Sequence, residues 1–155
     1  NIVTYDGRPE LPKIGQVIQS EAKKANIDVK LRNVDDIEGY LKDKDAWDAS
    51  MYSYLTVPRG DTGYFFNTAY LPKGANNKGN YNNKEVTQQI KQLNQTFGQS
   101  EREQLTNQIL KTSDKDIPNS YITYNDQIDG VSKNVKNFNV TPESIYLIDY
   151  KLDKK

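Results

Sequence analysis

Two residue types central to metal binding and acid–base catalysis are missing: the 155-residue chain has neither histidine nor cysteine. Imidazole bases, histidine-dependent triads, His-based zinc sites, thiolate chemistry and disulfides are therefore impossible within these residues. Polar recognition falls instead to one arginine and a set of tyrosines. Arg59 lies in the Pro/Gly-shaped stretch VPRGDTGYFFN, just past the aromatic segment WDASMYSYL at 47–55. Read as a strand, 47–55 turns Tyr52 and Tyr54 to one face and Trp47, Ala49, Met51 and Leu55 to the other. Crevices in open α/β sheets form beyond the carboxyl ends of strands. An arginine placed there offers a planar fork to the carboxylate of a peptide end or an amino acid. The plainer alternatives stay open: Arg59 as a solvated loop charge or a partner of Asp61, and the two tyrosines as rings packed under a helix.

Other motifs carry less. Arg59–Gly60–Asp61 spells an adhesion tripeptide, but three residues recur by chance too readily to count. Asp43, Asp45 and Asp48 lack the spacing, the sixth-position glycine and the closing glutamate of a calcium loop, and read as a solvated turn. Asn94–Gln95–Thr96 and Asn139–Val140–Thr141 match the glycosylation acceptor pattern, the first of them inside a predicted helix. Catalysis is not expected, because no base stands ready for a serine, no carboxylate pair is evident and no glycine-rich phosphate loop occurs. Twenty-one basic and 21 acidic side chains cancel. No net field draws the chain to nucleic acid or an anionic membrane, so specificity must come from local groups. No apolar run approaches the roughly 20 residues that span a bilayer.

The elements that must place these groups are legible in part. Residues 2–5 form a strand, and 11–25 an amphipathic helix with Leu11, Ile14, Val17, Ile18, Ala22 and Ala25 on one face. Pro12 suits its first turn and Asn26 a left-handed stop. Residues 27–34 alternate as a strand with one wet face. Strand–helix–strand in that order requires a parallel pair joined by a crossover, with 47–55 joining the same sheet. Asp35 and Glu38 have capping-box spacing for a short helix carrying Ile37, Tyr40 and Leu41. Residues 57–67 are expected to be an irregular loop and 73–83 a polar connector. Asn83 caps a helix with Val86, Ile90, Leu93 and Phe97 in one row, ended by Gly98. Ser100 and Glu103 open another helix, with Leu105, Ile109 and Leu110 inward. Pro118 introduces a strand at Tyr121–Tyr124, and Ile145–Tyr150 is the last strand. The chain opens directly on a strand without a signal-peptide pattern and is expected to be a fragment lacking its N-terminal partner, with KLDKK as the C-terminus.

Four stretches in this order resemble the bacterial ABC-transporter substrate-binding proteins of the peptide/nickel class, solute-binding protein family 5: IGQVIQSEAKKANIDVKLRNV, WDASMYSYLTVPRGDTGYFFN, YNNKEVTQQIKQLNQTFGQSEREQLTNQIL, and DIPNSYITYND followed by NFNVTPESIYLIDY. Ala25–Asn26–Ile27 replaces the family's usual glycine step. The wording is most similar to the nickel and opine-metallophore receptors. The resemblance implies an α/β fold with a mixed sheet flanked by helices, part of the C-terminal lobe of a two-lobed periplasmic-binding-protein-like fold. Residues 1–135 would belong to the ligand-binding lobe, and 136–155 would return across the hinge. It implies capture of a metal such as nickel, cobalt or zinc as a metallophore chelate, with no cofactor bound by this fragment alone. An oligopeptide receptor is the alternative within the class, and a surface interaction module without small-molecule cargo the alternative outside it. Implied partners are the permease transmembrane subunits and the chelate or peptide, with no nucleic acid. The implied location is extracytoplasmic: a lipoprotein of a Gram-positive cell membrane, anchored through a lipid absent from this chain, or a periplasmic protein. Ligand contacts are implied at Tyr52, Tyr54, Arg59, Thr62 and Asn67, with no metal ligand among them.

Overall fold

The computed structural model describes residues 1–125, 128, 130–136, 138 and 153–154. Two compact units divide the chain: Asn1–Thr56 with Phe65–Asn82, and Val57–Tyr64 with Asn83–Lys155.

The first unit is built on strand β1 (Ile2–Tyr5), which lies between β2 (Leu31–Val34) and β3 (Ala49–Ser50) in a three-stranded sheet. Both pairings are parallel, with Ile2 opposite Leu31 on one side and Ala49 on the other. Helix α1 (Glu10–Lys24) makes the crossover that the strand–helix–strand order requires. A mixed sheet was expected; the described one is wholly parallel, because helices lead into both neighbours of β1. Among the described residues, antiparallel pairing occurs between β4 (Val135–Lys136) and β5 (Asp153–Lys154) in the second unit.

Helix α1 buries Leu11 and Gly15 and half-buries Ile14, Ile18 and Ala22, while Val17 and Ala25 face solvent. The apolar stripe is narrower than the sequence pattern. Gly15 lets the helix approach the sheet, since a Cβ there would come 2.8 Å from Leu31 Cδ1. The helix stops where Asn26 adopts φ 59°. Asn26 N–H then donates to Lys23 O and Ile27 N–H to Ala22 O, the paired bonds of a Schellman end. Those bonds hold Ile27 against the helix terminus, so β2 starts at Leu31 rather than at residue 27, and Ile27 is exposed.

Short helix α2 (Ile37–Tyr40) is capped by Asp36, one residue later than expected, through its carboxylate and Gly39 N–H. It covers one face of the sheet, where Val3, Ile37 and Leu41 form a buried cluster flanked by Tyr5, Val34, Tyr40, Trp47 and Tyr52. Trp47 and Tyr52 therefore pack on the same cluster, not on opposite faces. The ladder of β3 covers only Ala49–Ser50, with one further bond from Met51 N–H to Val3 O. The other edge of β1 pairs along all four residues, with β2.

The expected irregular loop after it contains helical turns: a 3₁₀ turn at Pro58–Gly60, α3 at Gly63–Phe65 and a π-helical turn at Phe66–Tyr70. In the first unit Phe65, Phe66, Ala69 and Tyr70 are buried. The polar connector beyond is organised by Asn77, whose side chain bonds Leu71 O, Tyr81 O and Tyr81 N–H.

In the second unit, α4 (Lys84–Gln95) packs against α5 (Gln99–Ser113). Asn83 caps α4 as expected, accepting from Glu85 and Val86 N–H. Val86, Ile90 and Leu93 are wholly buried, and so is Ile109 of α5. Phe97, assigned to the same row, lies past the helix end and is 94% exposed. The chain leaves helical geometry at Thr96, which breaks the periodicity before Phe97 can use it. Gly98 is the N-cap of α5 rather than the end of α4, and Ser100 sits inside α5 without a capping bond. The stretch Tyr121–Tyr124 does not form a strand, and Tyr121, Ile122 and Tyr124 are exposed. The last expected strand, Ile145–Tyr150, lies outside the described residues.

Two residues that share one sequence pattern should therefore behave differently. Ile90→Ala should cost about 2–5 kcal/mol of stability in urea unfolding, and Phe97→Ala should stay within about 0.5 kcal/mol of the wild type. Gly74→Ala should cost about 1–3 kcal/mol, because its Cβ would fall 2.2 Å from the backbone oxygen of Thr68.

Candidate functional site

The chain devotes 11 residues to tyrosine, and the first unit gathers several into one row. Tyr5 meets Tyr52 at 5.7 Å between ring centroids, and Tyr52 stacks on Tyr54 at 4.7 Å and 28°. The row continues edge-on through Phe65, Tyr70 and Tyr81. Offset and edge contacts of this kind add about 0.5–1.5 kcal/mol per pair beyond buried area. Tyr52 and Tyr54 are half-buried.

Both hydroxyls are engaged. Tyr52 donates to the Glu38 carboxylate, and Tyr54 donates to Asn76 O at 3.0 Å. Glu38 also takes a 2.6 Å ion pair from Lys78, while Lys44 donates to Lys78 O. The polar connector is thus stapled to α2 and to the tyrosines through side-chain contacts. Hydrogen bonds from Lys78 and then Tyr52 hold the Glu38 carboxyl below its ordinary 4.5. Burial, and then the bond to Glu38, pushes the Tyr52 phenol well above the usual tyrosine range. Burial, followed by the charges of Glu38 and Tyr5, pushes Tyr54 up to about 12. Both phenol protons of these half-buried tyrosines are committed to partners within the unit.

The sequence-predicted contacts divide between the units: Tyr52, Tyr54 and Asn67 belong to the first, Arg59 and Thr62 to the second. Asn67 is half-buried in the π-helical turn. The backbone of Arg59 occupies the 3₁₀ turn, followed by Gly60 at φ 72°. Thr62 is half-buried, with its hydroxyl 3.0 Å from that of Thr106. Asp61 pairs at 2.6 Å with Arg102. Its carboxylate is thereby committed within the fold, which argues against reading Arg59–Gly60–Asp61 as an adhesion loop. Among the described residues no group of three or more His, Cys, Asp or Glu side chains is placed to hold a metal ion, and no helix is long and apolar enough to cross a membrane.

Sequence reasoning missed Glu38, Lys78 and Arg102. Glu38 carried a signal, its spacing from Asp35, which was absorbed by the capping-box reading. Lys78 and Arg102 carried none, being single charges in polar stretches.

No family model matches the chain. Over 150 residues it is 63% identical to the nickel-binding protein NikA of Staphylococcus aureus, a match covering 97% of this chain and 30% of that protein. Its structure superposes on a crystal structure of S. aureus NikA in complex with Ni(L-His)2, with a TM-score of 0.86 and 61% identity over 99% of this chain. The chain is homologous to a part of the nickel-binding proteins of ABC transporters. A nickel ABC transporter structure from Bacillus halodurans superposes with a TM-score of 0.78 and 36% identity, again over 99% of this chain. The chain spans 33% and 32% of the lengths of those two chains.

The charge pattern gives a pH test. The phenols of Tyr52 and Tyr54 have folded pKa values raised above the ordinary 10.0, so their stabilising contribution is complete below pH 10. It is lost as pH rises through the folded values, about 12 for Tyr54. Tyrosinate absorbance should show two phenols ionising later than the exposed ones, and Glu38→Gln should bring Tyr52 earlier by removing its anionic acceptor. The Glu38 carboxyl, lowered from 4.5, should contribute stability that is lost as pH falls below that value.

Proposed function

We propose that this chain is part of the C-terminal lobe of an extracytoplasmic substrate-binding protein that captures nickel as an amino-acid or opine-type chelate and delivers it to an ABC permease. The 63% identity to a nickel-binding protein, along almost the whole chain, carries this reading. The superposition on a relative in complex with Ni(L-His)2 supports the choice of a chelate as cargo. A metal enclosed in its chelate brings its own donors, so a lobe without histidine or cysteine can serve such a cargo. Amino-acid chelates present carboxylates and flat apolar groups. The complementary protein groups are a cationic fork and aromatic carbon, for which Arg59 and the Tyr52–Tyr54 pair are the assigned residues, with Thr62 and Asn67 beside them in sequence.

Residues 1–135 act in this reading as part of the ligand-binding lobe, and 136–155 as the segment that returns across the hinge. The role is binding and lobe closure rather than catalysis, with differential affinity for the closed state driving the shift. A lipid anchor on the complete receptor would keep it at the membrane face beside the permease subunits.

Calorimetry of the full receptor with bare nickel, nickel–histidine and a peptide pool tests the cargo. Saturable, preferential binding of nickel–histidine is expected, and binding of peptides alone would replace this reading with the oligopeptide one. Arg59→Ala should weaken nickel–histidine binding by roughly 1.5–3 kcal/mol, the loss of a charge-assisted hydrogen bond. Arg59→Lys should recover only part, since a point charge cannot reproduce the bidentate fork. An Arg59→Ala receptor that binds like the wild type would remove Arg59 from the site.

A further inference from the structure

The segment Val57–Tyr64 leaves the sheet of the first unit yet clusters with the helices of the second. One guanidinium is central to this. Arg102 of α5 donates through Nη1 to Leu93 O and Thr96 O, each at 2.8 Å, and through Nη2 to Asp61 Oδ1 at 2.6 Å. Leu93 O also accepts from Thr96 N–H at 3.2 Å, the last carbonyls of a helix lack i+4 donors, and a cation at that end meets the negative end of the dipole. Arg102 therefore closes the end of α4 and holds Asp61 with the same planar group.

Asp61 Oδ1 accepts in addition from Gly63 N–H at 2.8 Å. A Cβ at Gly63 would lie 3.1 Å from Asp61 Oδ1 and 3.4 Å from Arg102 Nη2, tighter than side chains ordinarily pack. The Thr62–Thr106 hydroxyl contact, 3.0 Å, adds a second attachment one residue away. On the other side of Asp61, its N–H bonds to Pro58 O and Gly60 N–H bonds to Val57 O, closing the turn that contains Arg59.

We propose that Arg102 and Asp61 form a clamp that docks the Val57–Tyr64 segment on the α4–α5 pair and thereby fixes where Arg59 is held. Arg102 is a positioning residue: it acts through Asp61 and the turn rather than on cargo. The clamp explains why the RGDTG stretch is ordered by a helix pair that lies far along the sequence. Lysine can replace Arg102 only in part, because an ammonium lacks the planar fork that reaches two carbonyls and a carboxylate together. The consequence for binding rests on the reading of Arg59 as a cargo contact; the docking itself does not.

The test uses the full receptor with Asp61→Asn, Arg102→Met and Arg102→Lys, followed by hydrogen exchange and by titration with nickel–histidine. Asp61→Asn and Arg102→Met should speed exchange of the 57–64 amides by roughly tenfold, while the buried α4 and α5 amides around Ile90 and Ile109 keep wild-type rates. Arg102→Lys should fall between. Affinity should drop about fivefold to tenfold in the first two variants, and the same changes should cost nothing further in an Arg59→Ala background. Unchanged exchange at 57–64 in Asp61→Asn would overturn the clamp, whatever the cargo. Faster exchange with full affinity, in a receptor that Arg59→Ala weakens, would overturn the positioning role. An Arg59→Ala receptor with full affinity would overturn the cargo reading, and the exchange rates would then decide the clamp by themselves.

Discussion

Parallel pairing on both edges of a four-residue strand is the constraint from which the first unit follows. Because β1 must have its neighbours run the same way, each is reached through a helix, and those helices supply the covering layer. Alternation along β1 then sends Val3 to the cluster under α2, while Thr4, also fully buried, faces the other way. The β3 ladder is short, two paired residues against four for β2. It leaves the chain after Met51 free of ladder bonds, to be held by side chains instead.

Aromatic packing takes over at that point. The row from Tyr5 to Tyr81 runs from the sheet to the connector beyond the π-helical turn, and the Lys78–Glu38–Tyr52 chain fastens the same connector by polar contacts. An exposed ion pair alone contributes little. Here the pair is coupled to a phenol whose ring packs on the core, so geometry is set by both ends. The phenol oxygens are spent on internal partners, which shifts the chemistry these tyrosines can offer from hydrogen bonding toward flat apolar contact.

The second unit solves a similar problem differently. Its helix pair is fixed by Val86, Ile90, Leu93 and Ile109, fully buried, and by the bond from Gln89 to Thr112 at 3.1 Å. Polar groups do the joining of the incoming segment: one arginine serves both a helix end and a distant aspartate. A buried cluster tolerates local change by repacking, whereas a three-way guanidinium contact depends on fixed directions.

Much of this was legible in the chain. The order of strand and helix signals determined the parallel β1–β2 pair, Asn26 determined the stop of α1, and Asn83 with the Val86–Ile90–Leu93 row determined α4, because each depends on local backbone preference or on a period within one element. The motifs that resemble nickel-class receptors were legible for the same reason, as short contiguous strings. Tertiary structure decided the rest. Phe97 fits the row of α4 by spacing, yet the helix ends before reaching it; Tyr121–Tyr124 reads as a strand by pattern, yet the folded chain does not form one there. Strand formation needs a partner edge, and a sequence does not say which edges are taken. Glu38 with Lys78 and Asp61 with Arg102 are 40 and 41 residues apart. Charges carry no periodic signature, so only the folded chain could show which of its many acids and bases meet, and why the turn bearing Arg59 is held where it is.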